Sequence, residues 1–432
     1  MRIAVTTLGC KVNSYDSATI ETRLRAAGHE IVPFAAGADV YVVNSCSVTD
    51  RADAESRQLA RRARRFDDQA RVVMTGCYAQ TDPNGAALPE VDHVVGLNRL
   101  DDLLGAVQGT RPGERILVND LRTARRVDTL GAEVFTGQTR AFLKVQEGCD
   151  LFCTFCIVPF SRGQSRSVPP RKVLEQLQML ADRGFVEVVL TGVHLGGYGH
   201  DLDTGIDLVG LVEMLVEHRP VPRIRLSSID PPEVSPGLLA LVRDEDVLCP
   251  HLHIPIQAGS DAVLHGMRRK YDSAALIDMG DQLQAFLPDA AIGTDVIAGF
   301  PGETDAEFDA TLAMLERLPV SYFHVFPYSV RSGTTAAKRT DHLPAPLIKE
   351  RAQRLRELGA VKRAAFAARF VGAELDVLVE GEESGQPGWV SGYSRNYQRV
   401  LVPGDTNLVN HEVRVRIDAC SGERLLGTMV EP

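Results

Sequence analysis

The chain is poor in cysteine, has no long apolar run and carries no excess of positive charge, and each absence removes a class of protein. Eight cysteines among 432 residues are too few for a disulfide-stapled scaffold and favour a reducing compartment. No apolar run approaches the roughly 20 residues of a membrane span. The first ten residues set Leu8-Gly9 before a cysteine, as a lipid-modified leader does. They have neither a basic segment nor an apolar stretch of about 7 to 15 residues, so a cytoplasmic protein with no membrane partner is expected. Lys and Arg number 47 against 57 Asp and Glu, a formal charge of −10. Any nucleic-acid role therefore has to rest on local clusters.

What is present suffices for a large globular protein: 44% of residues are apolar, and the length exceeds what one core usually serves, so two or three domains are expected. Three of the cysteines fall in Glu147-Gly148-Cys149-Asp150-Leu151-Phe152-Cys153-Thr154-Phe155-Cys156. This Cys-x3-Cys-x2-Cys run supplies Cys149, Cys153 and Cys156 as three thiolates to one metal centre. Tetrahedral zinc needs four donors and a cubane iron–sulfur cluster has four iron corners, so one position is left open for a substrate or cosubstrate. A zinc knuckle completed by a residue such as His194, or three plain buried thiols, is the alternative.

Cys10, Cys46 and Cys77 each follow an apolar β-like run, at residues 2–6, 40–43 and 71–75, with helical segments at 14–27 and 49–66 between them. The pattern β-α-β-α-β predicts a parallel sheet, whose strands end along one edge where ligands bind. Three loops at that edge can converge three thiolates, which makes a second iron–sulfur cluster plausible; three buried free cysteines are the alternative. Cys249 and Cys420 read as structural.

From 140 to about 360 six strands are expected, at 141–145, 186–190, 223–227, 251–255, 291–297 and 322–326, alternating with helices. Polar motifs follow several strands: Thr191-Gly192-Val193-His194, Ser228-Ile229-Asp230-Pro231, Ile256-Gln257-Ala258-Gly259-Ser260, and Gly299-Phe300-Pro301-Gly302-Glu303. His194 and His253 also fit as hydrogen-bonded core residues. Five short strands are expected in residues 372–432, a small β-barrel of the nucleic-acid-binding kind. Trp389, Tyr393, Arg395 and Tyr397 would form its base-stacking surface, although this segment holds five basic residues against ten acidic. Basic clusters occur at Arg57 to Arg65, at Arg268, Arg269 and Lys270, and from Lys349 to Arg369, where a helix is expected to hold phosphates.

The Cys149–Cys156 run, with Phe155 before its third cysteine, resembles the signature of radical S-adenosylmethionine enzymes. That resemblance implies a [4Fe-4S] cluster on Cys149, Cys153 and Cys156, chelation of its open iron by S-adenosyl-L-methionine, and reductive cleavage to a 5′-deoxyadenosyl radical that abstracts hydrogen. A low-potential electron donor such as flavodoxin or ferredoxin is implied too. Thr191 and Gly192 would lie near the methionine part of the cosubstrate, where a Gly-Gly-Glu-like motif has its acid and this chain has none. Ser228, Asp230 and Gln257 would make polar contacts, and the turn with Gly299 and Pro301 would approach adenine.

Two three-cysteine sites in this order resemble the methylthiotransferases. Leu8-Gly9-Cys10-Lys11-Val12-Asn13-Ser14, Gly76-Cys77-Tyr78-Ala79-Gln80 and Lys144-Val145-Gln146-Glu147-Gly148-Cys149-Asp150 are most similar to the branch that modifies N6-threonylcarbamoyladenosine at position 37 of tRNA. The isopentenyladenosine branch usually has Gln-Met-Asn after the first cysteine and the branch acting on an aspartate of a ribosomal protein Pro-Lys-Asn; both remain alternatives, as does a non-catalytic metal-containing RNA-binding protein. The resemblance implies an auxiliary [4Fe-4S] cluster on Cys10, Cys46 and Cys77 that delivers sulfur from a donor left open, and a tRNA anticodon stem-loop held between the barrel mouth and the other two domains. The expected fold class is α/β: an N-terminal Rossmann-like parallel domain (1–125), a partial (β/α)6 radical S-adenosylmethionine barrel (135–368) and an all-β TRAM barrel (372–432).

Overall fold

The computed structural model describes residues 1–125, 127, 131–133, 135 and 137–430. Strands β1 (Arg2–Thr7), β2 (Glu30–Ile31), β3 (Val40–Ser45), β4 (Arg71–Thr75), β5 (His93–Val95) and β6 (Ile116–Leu117) make one parallel sheet in the order β2-β1-β3-β4-β5-β6. Ile3 pairs with Val40 and Val40 with Arg71, so β1, β3 and β4 end together. Helix Lys11–Ala26 covers one face through Ile20 and Leu24, and helix Asp50–Phe66 the other through Ala60 and Ala63. Residues 40–43 are accordingly buried on both faces, as a central parallel strand must be. The first helix starts at Lys11 rather than Ser14 because Cys10 is its N-cap.

The six central strands fall where the alternation of apolar runs placed them. Chain order is β7 (Arg140–Glu147), β8 (Arg166–Ser167), β9 (Glu187–Gly192), β10 (Arg223–Leu226), β11 (His251–His253), β12 (Ala291–Ala298) and β13 (Tyr322–Pro327). Strands β7, β9 and β10 are parallel, as are β11, β12 and β13, and parallel bridges Ile224–Leu248 and Ser228–His253 join the two groups into one open arc. The unexpected β8 runs antiparallel beside β7. Glu187, wholly buried, accepts from Arg225 at 2.6 and 3.1 Å and lies 2.8 Å from Arg223, so the strand starts are stitched by charge.

Strands β14 (Glu374–Glu382), β15 (Trp389–Ser394), β16 (Arg399–Pro403), β17 (Glu412–Ser421) and β18 (Arg424–Met429) close a barrel in the order β14-β15-β16-β18-β17. Its placement corrects two expectations. It packs under the starts of the central strands, at the end opposite the cysteine loops: Arg223 reaches Glu412 at 3.1 Å, Arg225 donates to Arg395 O at 2.9 Å, and Arg140 lies 2.6 Å from Glu380. Among the described residues the N-terminal sheet, not this barrel, therefore flanks the mouth. Three of the four expected base-stacking residues are spent on this contact. Tyr397 packs on His251 with ring centroids 4.6 Å apart and beneath Arg225, Tyr393 stacks on Tyr397 at 4.9 Å, and Arg395 pairs with Glu412 at 2.8 Å. An open partial barrel exposes its floor, and these aromatic and guanidinium groups close it.

The basic helix Ala345–Ala368 is corrected as well. Arg351 is buried on Glu303 and Asp305, Arg354 pairs with Asp309 and Arg363 with Glu423, and Lys362 donates to the carbonyls of Leu315, Glu316 and Leu318. Arg369, just beyond it, pairs with Asp289. Most of its charge serves the fold rather than phosphates. Among the described residues no helix is long and apolar enough to cross a membrane.

Candidate active site

Cys149, Cys153 and Cys156 lie in the loop that leaves β7. Gly148, at φ +77°, turns the chain out of the strand where a Cβ would run into the Gln164 carbonyl. Cys149 N–H donates to Gly163 O at 3.1 Å, Thr154 N–H to Met267 O at 3.1 Å, and Ala336 N–H to Thr154 O at 2.8 Å. These bonds hold the loop against three other segments. Burial, with the neighbouring cysteines adding to it, pushes the Cys149 and Cys156 thiols up to about 12. Such thiols ionise at neutral pH only beside strong positive charge, which a metal centre supplies. Three thiols carried on one loop fit a polynuclear cluster, whose cysteines bind separate irons.

Beside Cys153 opens a cavity of about 390 Å³, its wall including His194, Asp230, Glu233 and Arg269. Arg269 Nη1 donates to Cys153 Sγ at 3.1 Å, its Nη2 lies 2.8 Å from Asp230, and its Nε donates to Tyr271 Oη at 2.9 Å. Burial raises the Asp230 carboxyl, and Arg269 opposes that rise. A second carboxylate reaches this wall from the loop after β10. Glu233, in the turn Pro231–Glu233 after β10, hydrogen-bonds the His194 ring, and its carboxylate occupies the space over Gly196. Burial lowers the His194 pKa, but the Glu233 bond outweighs it and leaves the imidazole raised. The sequence signal for Glu233 was its place in Asp230-Pro231-Pro232-Glu233, a capping box whose acid also faces the cavity.

The remaining expected residues divide. Thr191 and Gly192 end β9, where Gly192 lies against Gln146, whose Oε1 also accepts the His194 N–H at 2.8 Å. Ser228 is bridged to His253 and, unlike Asp230, is not part of the cavity wall. Gln257, at φ +65°, lines a second cavity. Gly299 and Pro301 line neither. Gly299 packs on Ile348, and its N–H donates to Glu303, the residue clamped by Arg351. Arg268, Arg269 and Lys270 all border the first cavity, with the Arg269 side chain only 5% exposed.

The second cavity, about 170 Å³, is bordered by neighbours of both triads: Val48 and Thr49 follow Cys46, Phe155 precedes Cys156, and its lining also includes Gln257, Asp295 and Arg331. Asp295 Oδ1 is 3.0 Å from His253 Nε2 and 3.1 Å from His324 Nδ1, and these bonds outweigh burial and hold its carboxyl far below the usual range. Both imidazoles are turned to one oxygen with Lys11 in electrostatic range, so the group reads as a hydrogen-bonded network.

Cys10, Cys46 and Cys77 stand at the ends of β1, β3 and β4, in mutual electrostatic range. Burial pushes Cys46 up to about 12. Gly9, at φ +100°, makes the packing possible, since a Cβ there would stand 2.7 Å from Cys46 Sγ. Arg162, buried and not singled out by the sequence, joins this triad to the barrel. Its Nε donates to Cys77 Sγ at 3.3 Å, and its other nitrogens reach Asn13 at 2.5 Å, Glu147 at 2.7 Å and Asp16 at 3.0 Å.

Comparison with known proteins agrees with this architecture. Residues 2–96 match the Uncharacterized protein family UPF0004, and residues 143–315 match the Radical SAM superfamily. Threonylcarbamoyladenosine tRNA methylthiotransferase MtaB of Bacillus subtilis is 40% identical over 96% of this chain and 93% of its own length. The protein of that name from Aquifex aeolicus is 40% identical over 88% and 93%, and a tRNA-2-methylthio-N(6)-dimethylallyladenosine synthase of Moorella thermoacetica is 32% identical over 99% and 98%. The radical S-adenosylmethionine methyltransferase TsrM of Kitasatospora setae shares the fold, with TM-score 0.56 and 15% identity over 90% of this chain and 80% of that one. By its sequence over nearly its whole length and by its fold, the chain belongs to the radical S-adenosylmethionine methylthiotransferases.

Proposed function

We propose that the protein methylthiolates C2 of N6-threonylcarbamoyladenosine at position 37 of tRNA. The observation that carries this reading is a cavity bordered both by Val48 and Thr49, which follow Cys46, and by Phe155, which precedes Cys156. Relatives named for this reaction, 40% identical to the chain, support the choice of substrate. Cys149, Cys153 and Cys156 would hold the radical-generating [4Fe-4S] cluster and Cys10, Cys46 and Cys77 an auxiliary [4Fe-4S] cluster. When bound, these clusters and S-adenosyl-L-methionine supply the hydrogen abstraction and the methylthio group.

The protein's own part is charge, position and dryness. Arg269 offsets the thiolate at Cys153 while fixing Asp230, and Arg162 does the same for Cys77 while fixing the N-terminal sheet on the mouth. Asp230 and Glu233 give the 390 Å³ cavity an acidic wall suited to a cationic amino group. A base splayed from the anticodon loop would enter the second cavity, against Phe155 and Phe326. In this reading residues 1–125, 135–368 and 372–432 are the three domains, a flavodoxin or ferredoxin supplies electrons, and the enzyme works in the cytoplasm with its tRNA.

Two variants test the assignment. In anaerobic incubations with reductant, Cys153→Ala is expected to yield no 5′-deoxyadenosine, whereas Cys46→Ala still yields it but makes no methylthiolated tRNA. Methylthio product from Cys46→Ala would refute the two-cluster reading.

A further inference from the structure

Helix Asp50–Phe66 begins at the rim of the 170 Å³ cavity: its N-cap Thr49 lines that cavity, and Arg331, another lining residue, pairs with Asp50 at 2.7 Å and with Asp53 at 2.6 Å. The first turn of the helix is thereby clamped to the barrel. Between Arg51 and Arg65 every exposed residue of this helix falls within one arc of about 120°. That arc carries Arg51, Arg61, Arg62 and Arg65 against a single acid, Glu55, in a chain whose formal charge is −10.

The fold gives these four little to hold. Arg64, outside the arc, takes Asp92 at 2.9 Å, whereas Arg61 is 3.9 Å from Glu90. Among the described residues no carboxylate pairs with Arg51, Arg62 or Arg65. Arg62 lies over the rings of Phe34 and Phe66. Arg51 stands in the first turn, where the macrodipole opposes a cation, and Arg61 and Arg65 are one turn apart, a like-charge spacing that destabilises a helix. The charge on this face does not serve the helix that carries it. On helix Ala345–Ala368, by contrast, Arg351, Arg354 and Arg363 are each answered by an acid of the chain.

Resting on the reading of tRNA as substrate, we propose that this arginine face binds the phosphate backbone of the anticodon arm while the base enters the cavity at the helix's first turn. From Arg51 to Arg65 the face extends about 21 Å, at about 1.5 Å per residue. A base can reach the cavity only if the strand carrying it passes over the rim, and a row of guanidinium groups that starts there meets its phosphates. Contacts of this kind set the position of the RNA and leave the reading of the base to the cavity.

The test measures binding of the iron-loaded full chain to a fluorescent anticodon stem-loop carrying N6-threonylcarbamoyladenosine, over a range of KCl concentrations. Wild type is compared with Arg51→Gln/Arg61→Gln/Arg65→Gln and with Arg354→Gln/Arg363→Gln/Arg369→Gln, a control of equal charge change. The first triple is expected to bind about 10-fold more weakly, and its slope of log affinity against log salt to fall by about 2 to 3, with the control near wild type. Iron content and 5′-deoxyadenosine formation with a chemical reductant should stay at the wild-type level, since none of these arginines lines either cavity. Unchanged affinity and slope in the first triple, or equal losses in both triples, would overturn the proposal. Unchanged RNA binding with slower 5′-deoxyadenosine formation from reduced flavodoxin would overturn it too, marking the face as the dock of an acidic redox protein. Should the triple fail to hold iron, Arg65→Gln alone decides: a slope lower by about 1 is expected, and an unchanged slope overturns the proposal. A wild type that does not bind the stem-loop overturns the tRNA reading and this inference together.

Discussion

Replacing Arg162 by leucine removes the group that ties the N-terminal sheet to the barrel mouth, and the structure sets the size of the effect. Arg162 and Lys144 are two buried cations facing two carboxylates: Glu147, 2.7 Å from Arg162 and 2.6 Å from Lys144, and Asp16, 3.0 and 2.6 Å from them. Together these neighbours hold Glu147 well below the ordinary glutamate range against the opposing effect of burial. Without Arg162, Lys144 alone faces both carboxylates and one negative charge is left buried and uncompensated. Removing one partner of such a pair costs about 3–5 kcal/mol. At about 2 °C per kcal/mol for a unit of this size the loss is about 6–10 °C in Tm.

Calorimetry of the anaerobically reconstituted protein measures that loss, and iron and acid-labile sulfide analysis measures the companion effect. Arg162 also donates to Cys77, so the iron content should fall from about eight toward about four with radical-side cosubstrate cleavage retained. The double variant Arg162→Leu/Glu147→Leu restores one cation to one carboxylate and should recover at least 1 kcal/mol of the loss, on the order of the coupling between contacting charges. A Tm within 2 °C of wild type for the single variant, or no recovery in the double, would refute the charge argument. Full iron would refute the role at Cys77.

Two further outcomes follow from the same geometry. Glu233→Gln should raise the KM for S-adenosyl-L-methionine about 10- to 100-fold, the loss of one charge-assisted bond, with a smaller effect on kcat; a kcat defect at unchanged KM would place Glu233 elsewhere. Glu187 is held down to about 2 by Arg225 and Arg223 against the effect of burial, so its contribution, about 3 kcal/mol, is complete above pH 4.5 and disappears as pH falls toward 2. Unfolding midpoints of wild type and Glu187→Gln should therefore differ at pH 7 and converge near pH 2, and a constant difference across that range would contradict the sign.

How much was legible in the sequence depended on the range of each interaction. The six central strands and the five C-terminal ones announced themselves because apolar alternation and turn residues act over a few neighbours, and the open-corner spacing of Cys149, Cys153 and Cys156 is local too. The sequence by itself determined the three-part α/β plan, the two sets of thiols and the family. The convergence of Cys10, Cys46 and Cys77 could be inferred, since parallel strands end at one edge.

Tertiary structure alone decided the pairings between residues far apart in the chain. It brought Glu233 onto His194 and seated Arg162 across 85 residues on Cys77. It turned Tyr393, Tyr397 and Arg395 from an apparent base-binding surface into the floor of the barrel, and tied the basic helix to acids on its own chain. The physical reason is that a side chain's charge and ring are visible in sequence, whereas which opposite charge or open face lies within a few ångströms is set only when distant segments pack.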